Sequence, residues 1–443
     1  MNAKSKLSCA IVSAIAVVST LAPAESRAAA FQLKEKSAKA LGRSFAGSIS
    51  APGDAAVIAD NPAAMRLLDG RLLQVDLTAV DYSMDFQGTG SDALGRPLSG
   101  GDGGDAGKLG AVPAAYFYTP IGERMHFGLS LTAPFGFSTD YDRNWMGRYH
   151  GAYTELQAVD LGVSLSYDVN PYVSFGGSIF IERAEAKIEN AIDFGAMLAA
   201  TGVPGFAPTS ADGYTRLDGS NTEWGFTVGG LFSPTDHTHI GIAYRSEVKH
   251  EIDDVDMSFD VPANVAAVMA VARPGWFTDT RAATELKLPA TLTASFSHEI
   301  GDRWTIMGDV TRTAWGKFKE VRLDFESSQP DQVLEFGYHD STFVSLGAEY
   351  KLSPHWTLRA GVAYDESPVS SEVRDVRVPD VSRKWLSVGA TWKPDPVWEY
   401  SLGYTHLFLD EPGISLRSAT GSALRGTYEY GTDILGVSVV RSF

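Results

Sequence analysis

Residues able to do chemistry are few and scattered in this chain. His237-Thr238-His239 has the spacing of two metal ligands on a strand, but it falls in an expected short turn with no third ligand nearby. Gly100-Gly101-Asp102-Gly103-Gly104-Asp105 sets two carboxylates in a glycine run, which suits either a calcium loop or a flexible solvated linker. No Gly-x-Ser-x-Gly elbow occurs that would pair a serine nucleophile with one of the nine histidines. The single cysteine, Cys9, lies in the N-terminal stretch described next, so disulfides and thiol chemistry are not expected of the mature chain. No metal and no cofactor is expected.

The N-terminus orders Lys4 and Lys6, an uncharged apolar run from Leu7 to Ala22, and small residues around Ser26, Ala28 and Ala30. That order is a secretory signal peptide over 1–28, with cleavage after Ala28 preferred to cleavage after Ala30. A lipoprotein reading through Cys9 fails because no apolar stretch precedes that cysteine. Loss of 1–28 removes three cations and one anion from a chain of net charge −17, which makes it more acidic still. An acidic chain of this kind argues against nucleic acid as a partner. After the signal there is no apolar run of ~18 residues, so a membrane can be crossed only by a closed barrel.

The elements that must position everything else are strands. From about Arg71 onward, apolar residues alternate with small or polar ones: Val159, Leu161, Val163 and Leu165 interleave with Asp160, Gly162, Ser164 and Ser166. On this reading Leu161 faces lipid and Ser164 faces a wet lumen. A soluble sandwich would alternate too. The barrel is favoured by aromatics at segment ends (Tyr167, Tyr172, Trp304, Tyr350, Trp356, Trp392, Trp398), by a final strand closing on Phe443, and by turn lengths. Short connections at 121–124, 170–171, 233–237, 301–302, 353–355 and 393–396 alternate with long ones near 87–110, 134–155, 190–221, 253–287, 319–340, 365–382 and 411–425. The fold expected is all-β: a transmembrane antiparallel β-barrel of about fourteen strands over 71–443, both termini periplasmic, in a Gram-negative outer membrane. Residues 29–70 do not alternate and are too few for an independent domain, so an N-terminal hatch plugging the lumen is expected.

Several segments in chain order resemble the FadL family of long-chain fatty acid transporters. They are Phe31-Gln32-Leu33, Leu41-Gly42-Arg43, Asn61-Pro62-Ala63, Pro134-Phe135-Gly136, Ala186-Lys187-Ile188-Glu189, Tyr244 to Lys249, Asp365 to Val369 and Pro379-Asp380 before Trp385. The resemblance implies uptake of a hydrophobic ligand by capture at apolar outer loops, gating by the hatch, and sideways exit where the third strand kinks inward.

On that basis Phe31, Asn61, Pro62 and Ala63 are the hatch and gating candidates, with Phe31 either a displaceable stopper or wall packing. Asn61-Pro62-Ala63 on its own also reads as a turn starter. Pro134, Phe135 and Gly136 are the lateral-opening candidates. Phe194, Met197 and Leu198 in one possible loop helix, and Val265, Val268 and Met269 in another, are the capture candidates; mutual packing as a cap is the alternative. The family's basic residue after Ala-Lys-Ile-Glu is here Asn190, so Arg183, Lys187 and Arg322 stand as candidates to meet a ligand carboxylate. The implied partners are a long-chain fatty acid or another hydrophobic ligand, outer-membrane lipid and lipopolysaccharide, around a monomer. Alternatives are a carrier of aromatic hydrocarbons, an outer-membrane lipid hydrolase and a general diffusion porin, the last opposed by the hatch and the apolar loops.

Overall fold

The computed structural model describes residues 30–443, so the expected signal peptide over 1–28 lies outside the described residues. The alternating segments pair into one antiparallel sheet that closes on itself. Its strands are β1 (Leu72–Ser91), β2 (Leu109–Ile121), β3 (Met125–Asp140), β4 (Tyr153–Asn170), β5 (Val173–Asp193) and β6 (Asp212–Thr235). Then come β7 (Thr238–Arg245 with Val248–Asp260), β8 (Thr280–Leu288 with Thr291–Ile300), β9 (Trp304–Thr313 with Glu320–Phe325) and β10 (Gln332–Glu335 with Ser341–Ser353). The last four are β11 (Trp356–Asp365), β12 (Arg383–Trp392), β13 (Trp398–Leu409 with Gly413–Arg417) and β14 (Ala423–Ser442). Five strands are broken once, so the 19 hydrogen-bonded segments amount to 14 barrel strands. β1 pairs with β14 from Leu72–Ser442 to Ser91–Ala423, which closes the barrel and leaves no edge at the seam.

The two faces follow the period-2 pattern. On β4, Leu161, Val163, Leu165, Tyr167 and Val169 are exposed, whereas Asp160, Ser164 and Ser166 between them are buried. Aromatics gather next to the short turns, as a membrane-interface girdle requires: the Trp304 and Tyr350 rings are 4.6 Å apart and those of Trp392 and Tyr400 5.7 Å.

Short turns at 122–124, 171–172, 236–237, 301–303, 354–355 and 393–397 share the rim where β1 starts and β14 ends. The opposite rim departs from expectation, because strands continue far into stretches read as loops. β5 runs 21 residues to Asp193 and β6 runs 24 residues from Asp212. Beyond the apolar band both faces of a strand meet water, so residues such as Glu251, Asp253, Asp254 and Asp256 erase the alternation while backbone pairing persists.

Residues 30–68 precede β1 and sit within the barrel. Two short helices, α1 (Ala38–Leu41) and α2 (Val57–Asp60), and a 3-10 turn (Pro62–Leu67) carry the segment. Its hydrogen bonds reach Asp76 on β1 (2.9 Å), Ser164 on β4 (2.7 Å), Ser174 on β5 (2.7 Å), Asp309 on β9 (2.6 Å) and Glu349 on β10 (2.7 Å). Partners spread around the circumference can be reached by one short segment only from inside. The expectation of a wet lumen at Ser164 is thereby corrected: its hydroxyl donates to the Ile58 carbonyl, because the N-terminal segment fills this level.

Leu161 stands at the outer end of the exposed row on β4 and Leu165 at its middle. Leu165→Arg is therefore expected to cost roughly 2–4 kcal/mol in a bilayer unfolding titration, and Leu161→Arg less. Equal costs at the two positions would show that the band has been placed wrongly.

Candidate ligand path

The third strand leaves the wall. β2 pairs with β3 only from Ile121–Met125 to Ala115–Leu131, although β2 goes on pairing with β1 as far as Leu109. Between Thr132 and Phe135 the β3–β4 register slips, a bulge that places one extra residue on β3. Above this, contact with the stretch before β2 resumes where Asp140 N donates to Ala106 O at 3.1 Å and Lys108 pairs with Asp140 at 2.7 Å. A bounded gap thus separates residues 109–114 of β2 from 132–139 of β3. Pro134, Phe135 and Gly136 lie at its inner side, next to the register slip.

The N-terminal segment supplies the partner that β3 has lost. Leu33 N donates to Pro134 O at 2.7 Å and Gly136 N donates to Phe31 O at 2.9 Å. A side chain on Gly136 would press on Leu33, 2.9 Å from its Cδ1. Phe31 is buried, edge-on to Trp315 at 4.5 Å and to Phe318 at 5.4 Å. It forms one wall of an apolar cavity of about 670 Å³ shared with Phe137, Leu156, Ile188, Leu286 and Phe336. On its other side, Gln32, Leu33 and Lys34 line a polar cavity of about 710 Å³ with Asp60, Arg245 and Asp309. The segment 31–34 is therefore a partition between a greasy chamber and a polar one.

Two motifs moor the segment to opposite walls through glycines. Asn61 Nδ2 donates to the carbonyls of Ile49 (3.0 Å) and Gly230 (3.3 Å), and Ser174 donates to Ala63 O at 2.7 Å. A Cβ on Gly176 would lie 2.5 Å from Ala63 N, and one on Gly229 would collide with Asn61 Oδ1. Across the lumen, Gly42 meets Gly389 with 2.9 Å between a built Cβ and Cα, and Arg43 bonds Ala46 O (2.6 Å) and Glu349 (2.7 Å). Burial alone would raise the Asp54 carboxyl, but Arg43, Lys39, Ser37 and Gln74 hold it below its ordinary value. Glu35, buried without such cations in contact, is pushed up to about 7.

Residues 15–443 match the family described as Outer membrane protein transport protein (OMPP1/FadL/TodX). The chain belongs to this family. The long-chain fatty acid transport protein of Escherichia coli O6:H1 is 30% identical over 398 residues, covering 86% of this chain and 87% of that one. The 47 kDa outer membrane protein of Pasteurella multocida is 30% identical over 425 residues, covering 94% and 96%. A Pseudomonas aeruginosa FadL homologue superposes with a TM-score of 0.87 at 26% identity, covering 94% of this chain and 100% of that one. The Ralstonia pickettii toluene transporter TbuX shares the fold, with a TM-score of 0.62 at 19% identity and coverage of 94% and 99%. This FadL-family barrel is an outer-membrane protein.

The remaining expected site residues are placed differently. Arg183 lies on the outer face of β5, bonded to Glu185 at 2.9 Å, and Lys187 on the same face reaches Glu155 at 3.5 Å. Arg322 is half exposed between Glu320 and Asp331. None of these three lines either cavity: on β5 the inward series is Glu182, Ala184, Ala186, Ile188, so odd positions face out. The cations that line the polar cavity are Lys34, Lys36 and Arg245. Register parity against Ile179 and Ile181 was the available signal.

In the long loops, helices form at α3 (Phe194–Ala200) and α4 (Ala263–Ala272). Phe194, Leu198, Val265 and Met269 are buried against one another with Phe277, whereas Met197 and Val268 stay partly open. His239 bonds inward to Ser233 at 2.8 Å and His237 turns to Glu299 at 3.3 Å, so the pair does not converge on a metal. The glycine run 100–105 is not a free linker: Met146 N donates to Gly101 O (3.0 Å) and Asp142 N to Gly103 O (2.8 Å), with Trp145 laid over Gly103.

Gly229→Ala is expected to push Asn61 off the wall at a cost of about 1–3 kcal/mol. In planar bilayers the variant should show higher ion conductance than wild type. Conductance unchanged at equal insertion would mean that Asn61-Pro62-Ala63 does not hold the segment in place.

Proposed function

We propose that this barrel takes hydrophobic small molecules, foremost long-chain fatty acids, inward across the outer membrane. The observation that carries the reading is an apolar chamber of about 670 Å³ separated by Phe31 from a break in the barrel wall. A chamber with that lining suits an apolar ligand, and an acyl chain buries more apolar area than a single ring does.

In this account the long-loop rim is extracellular and the short-turn rim periplasmic. α3 and α4 present the capture surface, where Met197, Val268 and the 85% exposed Val271 offer apolar contacts. Residues 29–70 act as the hatch, Phe31 as its stopper, Asn61-Pro62-Ala63 as its mooring. Ligand leaves sideways past Pro134, Phe135 and Gly136 between β2 and β3. The protein works as a monomer, its outward face in contact with lipid and lipopolysaccharide, and it performs no catalysis.

Fatty acids are favoured by the 30% identity to a long-chain fatty acid transport protein and the 0.87 TM-score to a FadL homologue. Neutral aromatic hydrocarbons are the second reading, and one observation speaks for it: no cation lines the apolar chamber, and Glu155, the one charged residue at its border, is paired with Lys187 at 3.5 Å.

Calorimetric titration of the purified protein is expected to show tighter binding of oleate than of toluene. Ala186→Trp, which fills the chamber, should weaken oleate by about tenfold or more, the loss of one to two kcal/mol of apolar contact. Toluene binding without oleate binding would replace the fatty acid reading by the hydrocarbon one.

A further inference from the structure

The polar chamber beneath Phe31 is lined by charges that are nearly all satisfied. Lys36 is paired with Asp60. Arg245 bridges Asp160 and Glu182, each at 2.7 Å. Asp309 accepts from Gly47 N (2.6 Å), Ser48 N (3.0 Å) and Ser295 Oγ (2.5 Å). Lys34 is different: among the described residues it has no ion-pair partner, and its Nζ rests 4.1 Å from the centroid of the Phe343 ring. A second polar group in the same lining is also left over, since the buried Thr227 hydroxyl has no hydrogen-bond partner. A desolvated ammonium facing this cavity is what an incoming anion would satisfy.

We infer that Lys34 seats the carboxylate of an amphipathic ligand in the polar chamber while the ligand's chain extends past Phe31 into the apolar one. Lys34 lies three residues from Phe31, about 10 Å along an extended segment, a span that a long acyl chain covers and a single aromatic ring does not. Burial lowers the Lys34 pKa, with Asp365 opposing, so the bare site holds its proton less firmly than a surface lysine and an arriving anion would restore the charge. The assignment also resolves the charge problem of the apolar chamber. That chamber takes the chain, and the head is held elsewhere, on a residue carried by the N-terminal segment itself. Ligand binding and the position of the segment are then coupled through a single side chain.

The inference rests on the fatty acid reading, and the test separates the two. Full-length protein in detergent is titrated with oleate and with methyl oleate, using wild type, Lys34→Gln, Lys34→Arg and, as an outer-face control, Lys187→Gln. Lys34→Gln is expected to weaken oleate by about tenfold, the loss of one charge-assisted contact, and to leave methyl oleate unchanged. Lys34→Arg and Lys187→Gln should keep the preference for oleate over the ester. Unchanged methyl oleate binding also reports that Lys34→Gln is folded. If wild type and Lys34→Gln bind oleate equally, Lys34 is not the seat although the fatty acid reading stands. If wild type binds toluene and not oleate, that reading and this inference fall together.

Discussion

Two backbone hydrogen bonds, from Leu33 to Pro134 and from Gly136 to Phe31, are the interaction on which the rest of the architecture depends. A strand facing lipid must find a partner for every backbone group, because hydrocarbon offers none. Where β3 bends away from β2 it forfeits that partner on one side. Residues 31–33 replace it from within, so the breach in the wall is tolerated only while the N-terminal segment is in place. The same residues carry Phe31 into the aromatic cluster of Trp315 and Phe318 and form the partition between the two chambers. One short stretch of chain thus closes the wall, divides the lumen and blocks the apolar chamber.

Holding that stretch in register requires the remainder of the segment to be fixed, and the barrel does so with glycines. At Gly176 on one side and at Gly361, Gly389 and Gly403 on the other, the inward side chain is absent and main chain from residues 38–63 takes its volume, while at Gly229 the Asn61 side chain does so. Such close approach is specific in register but adds few side-chain contacts between segment and wall. Polar anchors such as Asp309 and Glu349 supply direction. This combination fits the proposed role of a segment that sits in one place and is displaced by a ligand.

Much of this was legible in the amino-acid sequence, and the losses have physical causes. Alternation located the strands, and the contrast of short and long connections gave their number and common rim, because lipid imposes an apolar outward row. Outside the apolar band that constraint lapses, and strand extensions such as Asp212 to Asp218 on β6 read as loop. The helices at Phe194–Ala200 and Ala263–Ala272 were visible as apolar runs, but that their large side chains pack on each other was not. Charge and proximity to a motif point to Arg183, Lys187 and Arg322, whereas strand parity turns them outward. Lys34 and Arg245, which do line a chamber, sit in segments whose facing depends on β3's departure and on the barrel's curvature, neither of which is a local property.

The central claim is that ligand leaves through the wall between β2 and β3. Val112 and Ala133 pack together with Leu33 across that gap, and Cys9 is the chain's only native cysteine. A Val112→Cys, Ala133→Cys variant can therefore be bridged across the opening by a disulfide-containing bifunctional thiol crosslinker and released by a reductant. Uptake of labelled oleate by cells carrying the crosslinked variant is the direct measurement. The account predicts that oleate still binds, that uptake is lost, and that reductant restores it; uptake at the wild-type rate through the bridged wall would contradict it.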